Sequence, residues 1–244
     1  MSKTIVITGA GAGLGRAMAR RLAQDGHRLV LLGRTLAKVE AVAEEIGGGA
    51  WAMSCDVGDA TSVEAAFAAI AEREPRIDVM INNAAVYEPL MIEDATEAKI
   101  AETMDTNLAG TIRCSQAAVK QMEKGGHVIN ISTRTVVAPA VMLALYQTSK
   151  AGLERFTKTL REEVADRGIR VTMIRAAGMM EEGMNWTISP ETARRFQEER
   201  AKRGIGTGEA GVSQFASVAG LLPWLIGLPG DVDVTELMLE ARKA

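Results

Sequence analysis

Cysteine is scarce in this chain: there are two, Cys55 and Cys114, far apart and without ligand-like spacing. Thiols so placed build neither a disulfide framework nor a zinc site, and their usage points to a reducing compartment. A basic surplus is missing too: 28 Lys and Arg against 31 Asp and Glu leave a net charge of −3, which speaks against a nucleic-acid partner. No apolar stretch approaches the roughly 18 residues of a membrane span. Met1-Ser2-Lys3-Thr4 leads into a short β-type run rather than the apolar core of a signal peptide. Proline- or serine-rich linkers and internal repeats are also lacking. The expectation is a cytoplasmic protein with no membrane partner. What is present fits a large core: 47% of residues are hydrophobic and 24% charged, a balance that excludes disorder. At 244 residues, one α/β domain spanning 1–244 is expected.

Ile5-Val6-Ile7 reads as a β-branched strand that stops at Thr8-Gly9-Ala10-Gly11-Ala12-Gly13-Leu14-Gly15, after which Arg16–Ala23 has the pattern of an amphipathic helix. A glycine loop between a first strand and a first helix is the setting of a phosphate cradle. Backbone N–H groups can approach a pyrophosphate there, and the helix N-terminus adds a positive field. Thr8, Gly9, Gly11, Gly13, Leu14 and Gly15 are the candidate contacts. Leu29–Leu32 is a second, parallel strand. At its end an NAD site would place an acid for the ribose 2′-hydroxyl, but Gly33-Arg34-Thr35 stands there. An acid repels a 2′-phosphate, whereas a guanidinium grips it through charge-assisted hydrogen bonds. Arg34 is read as the selector of NADP(H), with Thr35 as a hydroxyl donor.

Further along come a helix at 36–46, a strand at Ala50–Cys55 closed by Asp56-Val57, a helix at 59–73 capped by Asp59 or Thr61, and the strand Ile77–Ile81 ending in Asn82-Asn83-Ala84-Ala85. A long helix at about 97–122 contains Asn107, a middling helix former expected to kink it and hold a water. A fifth strand, Val128–Thr133, is followed by a loop, a helix at about 146–167 and a sixth strand, Ile169–Ile174. Val232–Leu239 alternates like a final edge strand. Within the 146–167 helix, a spacing of four puts the phenol of Tyr146 and the ammonium of Lys150 on one face. A cation alongside favours the phenolate, so Tyr146 could exchange a proton with a carbonyl or alcohol oxygen near neutral pH.

Taken together, Thr8-Gly9-x-x-x-Gly13-x-Gly15, Asn82-Asn83-Ala84, Asn107 and Tyr146-x-x-x-Lys150 resemble, in this order and at these separations, the short-chain dehydrogenase/reductase family over essentially the whole chain. The resemblance implies a Rossmann-type, doubly wound parallel sheet of order 3-2-1-4-5-6-7, NADP(H) as cofactor, and a homotetramer or homodimer built on the two long helices. It makes Tyr146 the acid/base. Lys150 becomes the group that lowers its pKa and holds the nicotinamide ribose, and Asn107 the holder of a relay water. Asp56 and Val57 contact the adenine, Asn83 and Ala84 support the cofactor and central strand, and Ala177-Gly178 lie against the nicotinamide. The family's serine, thirteen residues before the tyrosine, is Thr133 here. Ser132 is the fallback, although strand alternation turns it to the other face. Ala85, Ala12 and Arg175-Ala176-Ala177-Gly178 stand where the family often has glycine, a basic residue and Pro-Gly.

On the substrate side, residues 178–208 read as a lid, with Met179, Met180, Met184, Trp186 and Ile188 around the turn Ser189-Pro190. With Tyr87, Met142, Leu143 and Leu145 these side chains could line an adaptable apolar pocket. Core packing or a subunit contact is an equal alternative for any one of them. Arg134 is expected to meet an anionic group or a nearby acid. The function expected is an oxidoreductase interconverting a largely apolar ketone and a secondary alcohol. The alternatives are a 3-oxoacyl-thioester reductase and a nucleotide-binding scaffold without turnover.

Overall fold

The computed structural model describes residues 2–138, 140–181, 188–204 and 211–242. Strands β1 (Thr4–Thr8), β2 (Arg28–Gly33), β3 (Trp51–Ser54), β4 (Val79–Asn82), β5 (His127–Thr133), β6 (Arg170–Ala176) and the edge strand β9 (Glu236–Leu239) form one parallel sheet. Its order is β3-β2-β1-β4-β5-β6-β9, the expected Rossmann-type order with the last strand at the far edge. Two short strands, β7 (Met179–Met180) and β8 (Ser213–Gln214), pair separately before β9.

The helices are α1 (Gly13–Ala23), α2 (Leu36–Ile46), α3 (Ala60–Arg73), α4 (Glu97–Met104), α5 (Gly110–Gln121), α6 (Ala144–Glu163), α7 (Pro190–Lys202), α8 (Phe215–Ala219) and α9 (Leu222–Gly227). Alternation along the strands sends side chains to two cores. Ile5, Ile7, Leu29, Leu31, Ile129 and Ile131 pack under α1, α2, α8 and α9. Val6, Val30, Met80 and Val128 pack under α3, α5 and α6. A sheet buried on both faces explains strands that read as continuous apolar runs. Cys55 and Cys114 are buried free thiols, and burial pushes Cys55 up to about 11.

The helix expected at about 97–122 is two helices. Between α4 and α5 the backbone widens into a π turn, Asp105–Ala109, centred on Asn107. Its side chain leaves the helix to serve other segments, and Thr111 Oγ1 donates to the Asn107 carbonyl at 3.0 Å. Such π turns concentrate at functional sites. Asp59 caps α3 by accepting from Thr61 N at 3.1 Å. Within the expected lid, Ser189-Pro190 opens α7 rather than serving only as a turn. Ser189 Oγ accepts from Thr192 N at 3.0 Å, and Pro190 occupies the first turn, where its missing N–H costs nothing.

Candidate active site

The C-terminal edge of the sheet, where β1, β2, β4 and β5 end, gathers the residues of interest. After β1 the chain turns at Gly9 (φ +64°) and Gly13 (φ +51°), both in the left-handed region. A Cβ on Gly9 would sit 2.9 Å from Ala84 Cα, and one on Gly15 would sit 2.1 Å from the Gly9 carbonyl oxygen. Only glycine lets the turn, the end of β4 and the start of α1 come so close. Thr8 and Asn83 pin this geometry. Thr8 Oγ1 accepts from Asn83 N (3.0 Å) and Ala84 N (3.1 Å), while Asn83 Nδ2 donates to the carbonyls of Thr8 (3.0 Å) and Gly9 (3.3 Å). Both side chains are thus occupied with the protein's own backbone, and Leu14 is buried in the core. Of the expected cofactor contacts, these three build the cradle from behind.

Beside the glycine turn lies a cavity of about 210 Å³ lined by Gly9, Gly11, Ala12, Arg34, Thr35, Lys38, Asp56, Val57, Ala84 and Thr106, among others. Asp56 Oδ1 accepts from Gly58 N at 2.9 Å, and Arg113 Nη1 donates to the Gly58 carbonyl at 2.8 Å, so the rim after β3 is stiff. Arg34 stands at the mouth, its side chain 58% exposed and 3.5 Å from Glu102. Lys38, which sequence reasoning passed over, is a second cation at the same end. A Cβ on Gly11 would meet Lys38 Cβ at 2.9 Å, so the glycine admits the lysine against the loop. Its place four residues after Arg34, in the first turn of α2, was the available signal.

The second group of residues converges where β5 meets α6. Tyr146 is partly buried, and its phenol lies beside Thr133. Thr133 Oγ1 accepts from Thr135 N at 3.2 Å. The rings of Tyr87 and Tyr146 meet edge to face, centroids 5.0 Å apart and planes at 88°. Lys150 is 2% exposed and donates to the Ile131 carbonyl at 2.8 Å. Here the expectation of a lowered phenol pKa needs correcting. Burial and the neighbouring Tyr87 push Tyr146 up to about 12, against the opposing effect of the nearby Thr133, while burial pulls Lys150 down to about 8. Desolvation penalises both charged forms and outweighs the helical spacing.

Asn107 does not present a free amide. Its Nδ2 donates to the Val86 carbonyl and to Ser149 Oγ, both at 3.0 Å, and its Oδ1 accepts from Val86 N at 2.7 Å. Ser132 faces away from Tyr146, as alternation implied: its hydroxyl donates to Glu154 Oε1 at 2.7 Å. Glu154 in turn holds Arg175 through two contacts of 2.7 Å. Arg175 therefore has a packing role in the segment that departs from Pro-Gly. Beyond it the path stays extended, with Ala177 N donating to the Leu239 carbonyl at 3.1 Å and the Gly178 carbonyl accepting from Ser213 N at 3.0 Å. Arg134 takes the second of its two expected partners, the acid Glu240, at 3.3 Å. Met179 packs against the core, Met142 is 5% exposed, and Met184 and Trp186 lie outside the described residues.

Comparison with known proteins decides the family. Residues 3–193 match the model of short chain dehydrogenases. The chain belongs to this family. It is 34% identical over 195 residues to carbonyl reductase family member 4 of Danio rerio, covering 79% of this chain and 82% of that protein. It is 30% identical over 213 residues to the 3-oxoacyl-[acyl-carrier-protein] reductase of Mus musculus, covering 86% of each. Among solved structures, a short chain dehydrogenase from Burkholderia cenocepacia J2315 in complex with NADP is 25% identical, with a TM-score of 0.82 over 98% of this chain and 96% of that one. Membership of this family makes the chain an oxidoreductase with a Rossmann-type fold, and no helix among the described residues is long and apolar enough to cross a membrane.

Proposed function

We propose that this short chain dehydrogenase is an NADP(H)-dependent reductase of largely apolar ketones, also able to oxidise the corresponding secondary alcohols, with Tyr146 as acid/base. The observation that carries the reading is the juxtaposition of Thr133 and the Tyr146 phenol at the C-terminal edge of β5, with Lys150 buried one helical turn along. The cradle fits a phosphate-bearing dinucleotide: its loop closes only with glycine at 9 and 15, and two cations, Arg34 and Lys38, stand at the end of β2 where an acid would disfavour a 2′-phosphate. Arg34, Thr35 and Lys38 would hold that phosphate, and Asp56 and Val57 the adenine. When bound, the nicotinamide supplies the hydride.

The chain's own groups handle the proton. Burial keeps the Tyr146 phenol protonated at neutral pH, so it stands ready to donate to a carbonyl oxygen as negative charge develops there. Thr133 supplies a second hydroxyl to the same oxygen. Lys150, still largely protonated at pH 7, would hold the nicotinamide ribose and would stabilise the phenolate left after proton transfer. A 3-oxoacyl thioester is the second substrate reading, favoured by the similarity to the mouse 3-oxoacyl reductase. The working unit is proposed to be a homodimer or homotetramer, in the cytoplasm.

The test is titration with NADPH and NADH, followed by turnover on aliphatic ketones, aromatic ketones and a 3-oxoacyl thioester. NADPH is expected to bind the more tightly and to be oxidised. Tyr146→Phe should bind NADPH as before and lose about 10²- to 10⁴-fold in kcat, the scale of general acid catalysis. Tight NADPH binding without turnover on any member of the panel would replace the reductase reading with that of a nucleotide-binding scaffold. Preference for NADH would remove the assignment of Arg34 and Lys38.

A further inference from the structure

The chain contains two tyrosines, and they pack against each other. Tyr146 lies near the start of α6. Tyr87 comes from the segment that follows β4. A closed circuit of contacts holds the pair together. Val86, next to Tyr87 in the chain, is bound at both its N–H and its carbonyl by the Asn107 side chain, at 2.7 and 3.0 Å. The same amide donates at 3.0 Å to Ser149 Oγ, and that hydroxyl donates at 2.7 Å to the carbonyl of Tyr146 itself. On the far side of Tyr87, Glu88 is bound to Lys99 of α4. The residues on both sides of Tyr87 in the chain are thereby anchored, and the circuit closes through the edge-to-face meeting of the two rings.

We infer that Tyr87 is a positioning residue for Tyr146: its ring, carried on a segment that the Asn107 side chain anchors at Val86, sets the angle at which the Tyr146 phenol meets Thr133 and the substrate oxygen. The inference rests on Tyr146 as the acid/base. A phenol that must donate along one direction cannot be left to rotate, because a small misplacement of a reacting group costs rate steeply. Thr133 lies at the hydroxyl end of Tyr146, and Tyr87 meets its ring edge to face. Tyr87 also bears on the acidity of the Tyr146 phenol, whose pKa burial raises most and Tyr87 raises further. Asn107 accordingly acts mechanically, since its side chain, projected by the π turn, couples the β4 loop to α6.

With two tyrosines in the protein, 13Cζ-tyrosine labelling yields two resonances, assigned by their loss in Tyr87→Phe and Tyr146→Phe. The full chain bound to NADPH is compared with Tyr87→Phe, which keeps the ring, and Tyr87→Leu, which keeps apolar bulk without it. Tyr87→Phe is expected to leave the Tyr146 resonance near its original position and to retain most of the turnover. Tyr87→Leu should shift and broaden that resonance and lower kcat by about tenfold or more, with the NADPH affinity unchanged. A Leu variant that raises KM alone, with kcat and the Tyr146 resonance unmoved, would make Tyr87 a substrate contact and overturn the inference. A Phe variant that loses about tenfold in kcat would overturn it as well, whether or not Tyr87→Leu folds. If even the parent turns over no substrate, the reductase reading fails on its own. The Tyr146 resonance then decides the inference: displacement in Tyr87→Leu supports it, and an unmoved signal refutes it.

Discussion

Four polar side chains lie along one face of α6, at 146, 150, 154 and 157, and the two halves of that stripe behave differently. In the C-terminal half, Glu154 is bound by Ser132 and Arg175, and Thr157 donates to the Leu153 carbonyl at 2.7 Å while accepting from Asn130 Nδ2 at 2.8 Å. In the N-terminal half, Lys150 donates to Ile131 alone among the described residues, and Tyr146 rests on Thr133 and Tyr87. Both groups carry shifted pKa values, about 8 and about 12, because burial withdraws water without supplying a counter-charge. A buried polar group with a complete partner set is scaffold. One kept dry with an incomplete set is poised to exchange protons with something else. The same helix does both, because β5 presents paired acceptors and donors to its far half and only its open end to the near half.

The contrast can be broken most severely at Glu154. Its side chain is 9% exposed and that of Arg175 13%, so Glu154→Ala strands a buried guanidinium, which Glu236 reaches on one side only. A loss of about 3–5 kcal/mol in stability is expected from urea unfolding. A loss under about 1 kcal/mol would mean that the pair is as weak as a surface bridge. A smaller effect belongs to Thr157→Val, which leaves a buried Asn130 donor without its acceptor. About 1–3 kcal/mol should be lost, with NADPH binding intact, and reduced binding would show that the scaffold half also shapes the site.

The most diagnostic change concerns the other half. Lys150 has a folded pKa of about 8 against 10.5 when unfolded, so between those values the unfolded chain binds more protons and stability rises with pH. Below about pH 8 the buried ammonium is a standing cost. Lys150→Met should therefore gain stability relative to the parent near pH 7, and the gap should narrow as the pH rises from about 8 towards 10.5. A gap independent of pH would show that Lys150 is not desolvated.

Much of this architecture was legible in the residues. The alternation of β-branched runs and amphipathic stretches predicted the succession of strands and helices, Asp59 and Thr61 marked the start of α3, which Asp59 caps, and the glycines at 9, 13 and 15 announced a tight turn. Asn107 stood out as an amide in an apolar helix, and the π turn is the structural answer. Ser132 and Thr133 separated correctly onto two faces because strand periodicity is strict. The pairing of Tyr87 with Tyr146, the approach of Lys38 to Gly11, and the clamp of Arg175 by Glu154 could not be read in this way. Each joins segments remote in the chain, and local pattern carries no record of which remote partner arrives.

The sequence alone determined, through period and backbone allowance, which segments become strands and helices, where the chain must turn, and which hydroxyl shares a face with which. The tertiary structure alone decided the electrostatics. Whether a lysine four residues away lowers a tyrosine's pKa, or burial raises it, depends on the water excluded by every surrounding element, and that sum exists only once the chain has folded.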